Sequence, residues 1–294
     1  MVVSLEELAC FDLLVWLRTG DNAASRLAVS QSKVSRALRS VSGLLGVRLT
    51  KSYGEWLLSG DQKLLNLERR VHQEYRWTQA LPLRIESQYY SGPLYCDPVP
   101  DGWIAGDFDY VAIHPPLEHL RNGVIDAWIA CYPDVPEHDD PDLACFHLTR
   151  LPTHLVVAAD HPLVELGEAV TLDDVRLYPS LALPDNAFPK VQAVLQSLNL
   201  WNLPQRLNRY DYQEWEGKVV SDLVVGYATA FSLSLFRRPQ VVLPIHIPLE
   251  VGDTLVVKRD YASHPRCALL LQWLKQRAKD LARLYPEVEL IHSP

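Results

Sequence analysis

The sequence predicts an α plus α/β chain: an all-helical head, one long helix by itself, and a larger α/β remainder, over 294 residues. Three observations carry this. From Leu5 to Leu45 apolar positions recur every three or four residues, the spacing of helices buried along one side. Between Gln62 and about Leu81 neither glycine nor proline interrupts the chain. Beyond Pro82 short apolar runs alternate with helix-period segments, as strands and their connecting helices do.

In the head, Leu5 to Leu17 reads as an amphipathic helix with Leu5, Leu8, Phe11, Leu14, Val15 and Trp16 apolar, broken by Gly20-Asp21-Asn22. Ala23 to Ala28 offers a short second helix with small residues for close packing, and Val29 fills the turn. Ser30 stands where an N-cap belongs, its hydroxyl available to a free backbone N–H. After it Val34, Leu38, Val41 and Leu45 form a buried stripe, and the opposite face carries Ser32, Lys33, Ser35, Arg36, Arg39 and Ser40 without an acid. Hydroxyls and guanidinium groups contact phosphates, arginine reads guanine edges in the major groove, and a helix N-terminus seats a phosphate. An isolated basic helix is an ordinary solvated surface as readily as a nucleic-acid contact. Helix, short helix, turn and basic helix in tandem is the helix-turn-helix layout.

The charge distribution agrees with a DNA partner despite a net charge of −8. Residues 1–84 hold 12 Lys and Arg against 8 Asp and Glu, a net of +4, and the rest carries −12. No run of eighteen apolar residues occurs, so no membrane span is expected, and the acidic start at Glu6 and Glu7 does not resemble a signal peptide. Five scattered cysteines with no C-x-x-C pair suit a reduced, cytoplasmic setting.

In the long helix Leu64, Leu67, Val71, Tyr75, Thr78 and Leu81 recur at three- and four-residue steps over roughly 30 Å. Such a narrow seam suits pairing with a second copy, giving a homodimer or homotetramer; docking on its own chain is the alternative. Pro82 ends it.

In the remainder, strands are expected at Asp109 to Ile113, Ala127 to Cys131, His154 to Ala158, Ser180 to Leu183, Val224 to Ala228, Val241 to Ile245 and Thr254 to Lys258. Helices are expected at Leu172 to Val175, Lys190 to Leu198, Asp211 to Val220 and Arg266 to Arg283. Other chemistry is weakly prompted. His114, Glu118 and His119 could ligate a metal, but a five-residue step does not align two histidines on a helix face. Pro136 to Asp142 reads as a solvated acidic loop, and Cys131 and Cys145 lack a cationic neighbour to activate a thiol. No nucleophile elbow, dinucleotide fingerprint or phosphate loop occurs, so no catalytic residue, metal or cofactor is expected.

Ala23 to Leu49, reading AAxRLxVSQxxVSRxLRxVxxLLGVRL, resembles the DNA-binding signature of LysR-type transcriptional regulators. The entry between Gly20 and Ala23 is about two residues shorter than is usual there, Ser32 stands where proline is common, and the wing, Thr50 to Trp56, lacks the usual phenylalanine and arginine. Further phrases are similar to the effector domain of that family: Leu120 to Asp126, Leu155 to Leu163 with its His-Pro-Leu turn, Leu223 to Tyr227, and Gln272-Trp273-Leu274. Between residues 86 and 108 the family's long first helix has no counterpart.

The resemblance implies a winged helix-turn-helix domain (1–60), a linker and dimerisation helix (61–84), and an effector domain (85–294) of two α/β subdomains of periplasmic-binding-protein type. Subdomain I would comprise 85–155 and 247–294, and subdomain II 156–246, with crossings near 150–156 and 243–249. It implies an inverted-repeat DNA operator touched by Ser30, Gln31, Ser32, Lys33, Ser35, Arg36, Arg39 and Lys51. It also implies a small-molecule effector between the lobes, touched by Ser87, Gln88, Cys131, Asn186 and Thr229. Helix N-termini at such a cleft suit a carboxylate or other anion. A regulator whose effector site has decayed, and a free-standing solute-binding protein, are the other readings left open.

Overall fold

The computed structural model describes residues 2–204, 209, 210 and 223–291. The helix expected over Asp211 to Val220 lies outside them. The chain opens with α1 (Leu5–Leu17), α2 (Gly20–Leu27), α3 (Gln31–Leu45), β1 (Arg48–Ser52), β2 (Glu55–Ser59) and α4 (Lys63–Thr78). Next come β3 (Leu83–Ser87), α5 (Gly92–Cys96), β4 (Trp103–Ala105), α6 (His114–Arg121), β5 (Ala127–Tyr132), β6 (Leu143–His147), β7 (Thr149–Pro152) and β8 (His154–Ala158). Then follow α7 (Pro162–Glu165), α8 (Leu172–Val175), β9 (Leu181–Ala182), α9 (Pro189–Ser197) and β10 (Leu203–Pro204). The last elements are β11 (Gly226–Ala228), α10 (Ala230–Leu233), β12 (Gln240–Val242), β13 (Glu250–Lys258), α11 (Pro265–Leu284) and β14 (Glu289–Leu290). Contacts divide the chain into two units: residues 1–86, 99–107 and 116–128 form the first, and 87–98, 108–115 and 129–294 the second.

In the first unit a capping box starts α1: Glu7 N–H donates to the Ser4 hydroxyl, and the Glu7 carboxylate accepts from Ser4. Leu8, Phe11 and Val15 pack with Val41 and Leu45 of α3, Val47 and Leu65 in one core. Each fully buried Leu or Phe there contributes roughly 1.5–3 kcal/mol. The amphipathic expectation for α1 is corrected here. Nine of its thirteen residues are buried, including Asp12, Leu13 and Trp16, because its second face is covered by other parts of the same unit. The break before α2 also sits earlier than expected. Arg18 takes a left-handed conformation and Thr19 caps α2, so Gly20 is already helical. The wing is a tight hairpin in which Ser52 pairs with Glu55, and Tyr53 and Gly54 both take positive φ, as a type I′ turn requires.

The linker helix α4 has two contrasting faces. Leu65, Glu68, Arg69, His72, Gln73, Arg76 and Trp77 are buried within the unit. Leu64, Leu67, Val71 and Tyr75 are exposed, Leu64 at 56 % and Val71 at 51 %. The seam read from the sequence is therefore the outward stripe, and a more polar stripe docks on the chain itself. Charge pairing makes that second stripe tolerable in the interior. Arg69 Nε donates to Asp12 at 2.8 Å, and Arg84 Nη1 lies 3.5 Å from the same carboxylate. Arg76 donates twice to Asp126, at 3.1 and 2.9 Å, and Gln73 donates to it at 2.9 Å. Trp16 Nε1 donates to Glu86 at 2.6 Å, which ties α1 to β3. β3 runs parallel to β4, with Leu83 opposite Trp103.

The second unit holds strands in the order β14, β7, β13, β5, with β6 and β7 occupying one edge of β13 in succession. Gly252 permits this: a Cβ there would stand 2.0 Å from the Thr149 carbonyl oxygen. A separate sheet has the order β11, β8, β12, and β9 pairs with β10 in parallel. The chain passes from the first of these sheets to the second at Thr153 and returns over residues 243–249, where Thr153 N–H donates to Leu249 O at 3.0 Å. Asp109 to Ile113, expected as a strand, forms only an isolated bridge at Tyr110, since Ile113 N–H donates instead to Ala187 O. Val241 to Ile245 is a strand only as far as Val242, and β6 and β7 were not anticipated. After β3 the only helix before β4 is α5, five residues long.

Candidate nucleic-acid interface and ligand cavity

The outer face of α3 follows from its inner one. Val34, Ala37, Val41 and Leu45 are buried, which leaves Gln31, Ser32, Ser35, Arg36 and Arg39 exposed. The two arginines are held along the helix: Arg36 Nε donates to Ser32 O and Arg39 Nε to Ser35 O, each at 3.4 Å. Ser30 occupies the N-cap position but makes no capping bond; its hydroxyl lies 3.0 Å from that of Ser32. This corrects the expected cap and leaves the first amides of α3 without that internal acceptor. Lys33 pairs with Glu6 of α1, so its charge is partly neutralised within the unit. Ser40 donates to Glu7 at 2.9 Å, and the Ser4 and Ser40 hydroxyls hold the Glu7 carboxyl below its ordinary value. On the wing Lys51 donates to Arg18 O at 3.4 Å and lies 5.6 Å from the centre of the Trp56 ring. Trp56 Nε1 donates to Arg18 O at 2.9 Å, which pins β2 to the end of α1.

The second unit holds an open-mouthed cavity of about 100 Å³. Tyr89, Tyr90, Cys131, Thr153, Leu249 and Val251 line it from segments the sequence assigns to subdomain I. From segments assigned to subdomain II come Leu183, Phe188, Val191, Leu195, Trp201, Tyr227, Ala228, Thr229 and Ser232. Of the effector candidates, Cys131 and Thr229 are in this wall. Ser87 and Gln88 are fully buried but outside it, and Asn186 is exposed. The two tyrosines that follow Gln88 take the place those residues were expected to hold. The run Tyr89-Tyr90 after a strand end was a usable signal for them; Thr153 and Trp201 carry none.

The polar groups of the wall are largely engaged. Thr229 N–H donates to the Ser232 hydroxyl at 2.8 Å, and Ser232 N–H donates to the Thr229 hydroxyl at 3.3 Å. Tyr227 accepts from Trp201 N–H at 3.0 Å, and burial pushes its phenol up to about 12. Burial pushes the Cys131 thiol, which donates to Tyr132 O at 3.4 Å, up to about 12, and the Cys145 thiol up to about 11. Neither is an activated thiolate at neutral pH. Asp253 is fully buried beside this region and accepts from Ser91 and from Thr149 at 2.9 Å; burial raises its carboxyl. Among the described residues no group of three metal-ligating side chains gathers.

Residues 113–279 match the family described as the LysR substrate binding domain, more than half of the chain. The chain belongs to the LysR family. Solved structures of full-length relatives share its fold. A full-length OxyR variant from Pseudomonas aeruginosa is 19% identical, with 94% of this chain and 97% of that one covered and a TM-score of 0.56. CbnR complexed with its target DNA is 17% identical, with 94% and 100% covered and a TM-score of 0.55. An OxyR mutant from Corynebacterium glutamicum is 18% identical, with 96% and 93% covered and a TM-score of 0.54. No curated protein sequence matches. The LysR-type chain has no helix among its described residues long and apolar enough to cross a membrane.

Proposed function

We propose that this LysR-family chain is a transcriptional regulator that binds an inverted-repeat DNA operator as a homodimer or larger homo-oligomer and responds to a small molecule held in the cavity of the second unit. The observation that carries the reading is α3, where Gln31, Ser32, Ser35, Arg36 and Arg39 stand exposed over a fully buried stripe. On this reading Gln31 and Arg36 read base edges, while Ser30, Ser32, Ser35 and Arg39 contact phosphates or sugars, aided by the Gln31 and Ser32 amides at the start of α3, which precede the first amide spent on Ser30 O. Lys51 on the wing serves the flanking backbone, and Lys33 contributes once Glu6 yields it. The exposed seam of α4, Leu64, Leu67, Val71 and Tyr75, supports pairing with a second copy, which places two reading helices on two half-sites. Ligand in the cavity shifts the balance between arrangements of the oligomer by its difference in affinity for them. The binding groups identified are for recognition, and no residue is assigned a catalytic role. A cytoplasmic setting goes with this reading.

Arg36→Ala tests it. Footprinting on the operator, located first by mapping bound DNA in cells, is expected to show specific binding weakened by ~1–3 kcal/mol with relaxed preference at one base pair of each half-site. Unchanged affinity and preference would remove Arg36 from base readout.

A further inference from the structure

We infer that the cavity of the second unit takes an uncharged, single-ring aromatic compound bearing one hydroxyl or carbonyl group, rather than the carboxylate that helix N-termini at a cleft suggest. The inference rests on the reading of this cavity as the effector site and adds the chemistry of what fills it. Among the described residues, none of the fifteen that line the wall is Asp, Glu, Lys, Arg or His. Arg150, just before the Thr153 crossing, is outside the wall; its guanidinium lies 3.5 Å from the centre of the Tyr132 ring and donates to Thr149 O at 2.7 Å. At the start of α10 the Thr229 and Ser232 amides are already spent, each donating to the other's hydroxyl. An ionised carboxylate placed here would lose its water and gain no cation, a cost that strongly disfavours it.

Three polar atoms of the wall point to a different guest. Trp201 Nε1, Thr153 Oγ1 and Tyr90 Oη are buried without a hydrogen-bond partner among the described residues, and Trp201 and Thr153 are each 7% exposed. Native interiors rarely leave such groups unmet. The indole N–H can only donate and the two hydroxyls can do either, so together they ask for one acceptor and one hydroxyl or carbonyl oxygen. The surrounding faces of Tyr89, Phe188, Trp201 and Tyr227 offer aromatic packing. A volume of about 100 Å³ limits the guest to one ring, on the scale of the roughly 150 Å³ apolar cavity that accepts benzene.

Calorimetric titration of the full chain at pH 7 with 4-ethylphenol and with benzoate, equal in number of non-hydrogen atoms, tests this. The phenol is expected to bind at least a hundredfold more tightly, to lose tenfold or more in affinity in Thr153→Val or Trp201→Phe, and to lose all binding in Val191→Trp, which fills the space. Melting temperatures check that each variant folds, and Thr153→Val, the mildest change, carries the test if the larger ones do not. Equal or tighter binding of the carboxylate, binding of neither compound, or phenol binding indifferent to the variants that fold would overturn the inference. Fluorescence anisotropy on operator DNA separates the two readings. Phenol binding that leaves DNA retention unchanged defeats the regulator reading and upholds this one. A carboxylate that binds the cavity and alters DNA retention does the reverse.

Discussion

His72 sits beneath the head with 2 % of its surface exposed and its Nε2 3.3 Å from Glu68. Burial outweighs that carboxylate and lowers the pKa of the imidazole. A histidine that resists protonation when folded stabilises the fold above its unfolded value, about 6.5, and that contribution disappears as pH falls below it. Urea midpoints are therefore expected to decline between pH 7 and 5 more steeply for the parent chain than for His72→Gln; parallel curves would place the titrating group elsewhere. Legibility at this scale depended on whether a residue's role is local. Ser35, Arg36 and Arg39 are placed outward by the three-and-four spacing of their neighbours alone, whereas Cys131 and Thr229 are placed at the wall only by the family resemblance. Gln88 was placed too early by one residue, and Trp201 could not be found at all. Its position depends on a left-handed backbone and on Tyr227, 26 positions away.

Among elements, α4 carries the clearest division of labour. Its apolar seam faces outward and its charged stripe faces inward, the reverse of an ordinary surface helix. The seam was legible as a periodicity, but the inward stripe was not. Glu68, Arg69, Gln73 and Arg76 look solvated until Asp12 and Asp126 are brought to them by the fold. Val71→Asp is expected to shift the chain from dimer to monomer in sedimentation equilibrium at micromolar concentration while leaving its far-ultraviolet dichroism unchanged, because Val71 is half exposed and is not among the residues of the core. A dimer that survives the substitution would show that pairing uses another face. The short strands fared worse for a related reason. β6 and β7 exist because β13 offers them an edge, a partner that local pattern does not disclose. The lack of a long helix between residues 86 and 108 was legible from their Pro, Gly and Tyr content, but the five-residue α5 was not.

Across the whole chain, charge is segregated, +4 in residues 1–84 against −12 beyond. The excess of acid keeps phosphate affinity confined to the head, so DNA binding is expected to be strongly salt-dependent. In a dimer Arg39→Ala removes two phosphate contacts. The slope of log K against log salt should become shallower by about 2, with affinity for all sequences falling together; an unchanged slope would mean Arg39 touches no phosphate. The fold class and the order of its parts were readable at this scale, because composition and element alternation are global properties. The grouping of residues 99–107 and 116–128 with the head was not, since it is made by charge pairs between distant positions. Those pairs also set the stiffness of transmission inside the first unit. Asp12 of α1 clasps Arg69 and lies against Arg84, and Asp126 clasps Arg76, so α1, the linker and β3 are held together by buried charge. Removing one partner of such a pair would strand a buried charge at a cost of about 3–5 kcal/mol. A coupling between sites is typically about 1–3 kcal/mol, too small to strand such a charge, so a signal of that size leaves these three elements latched to one another.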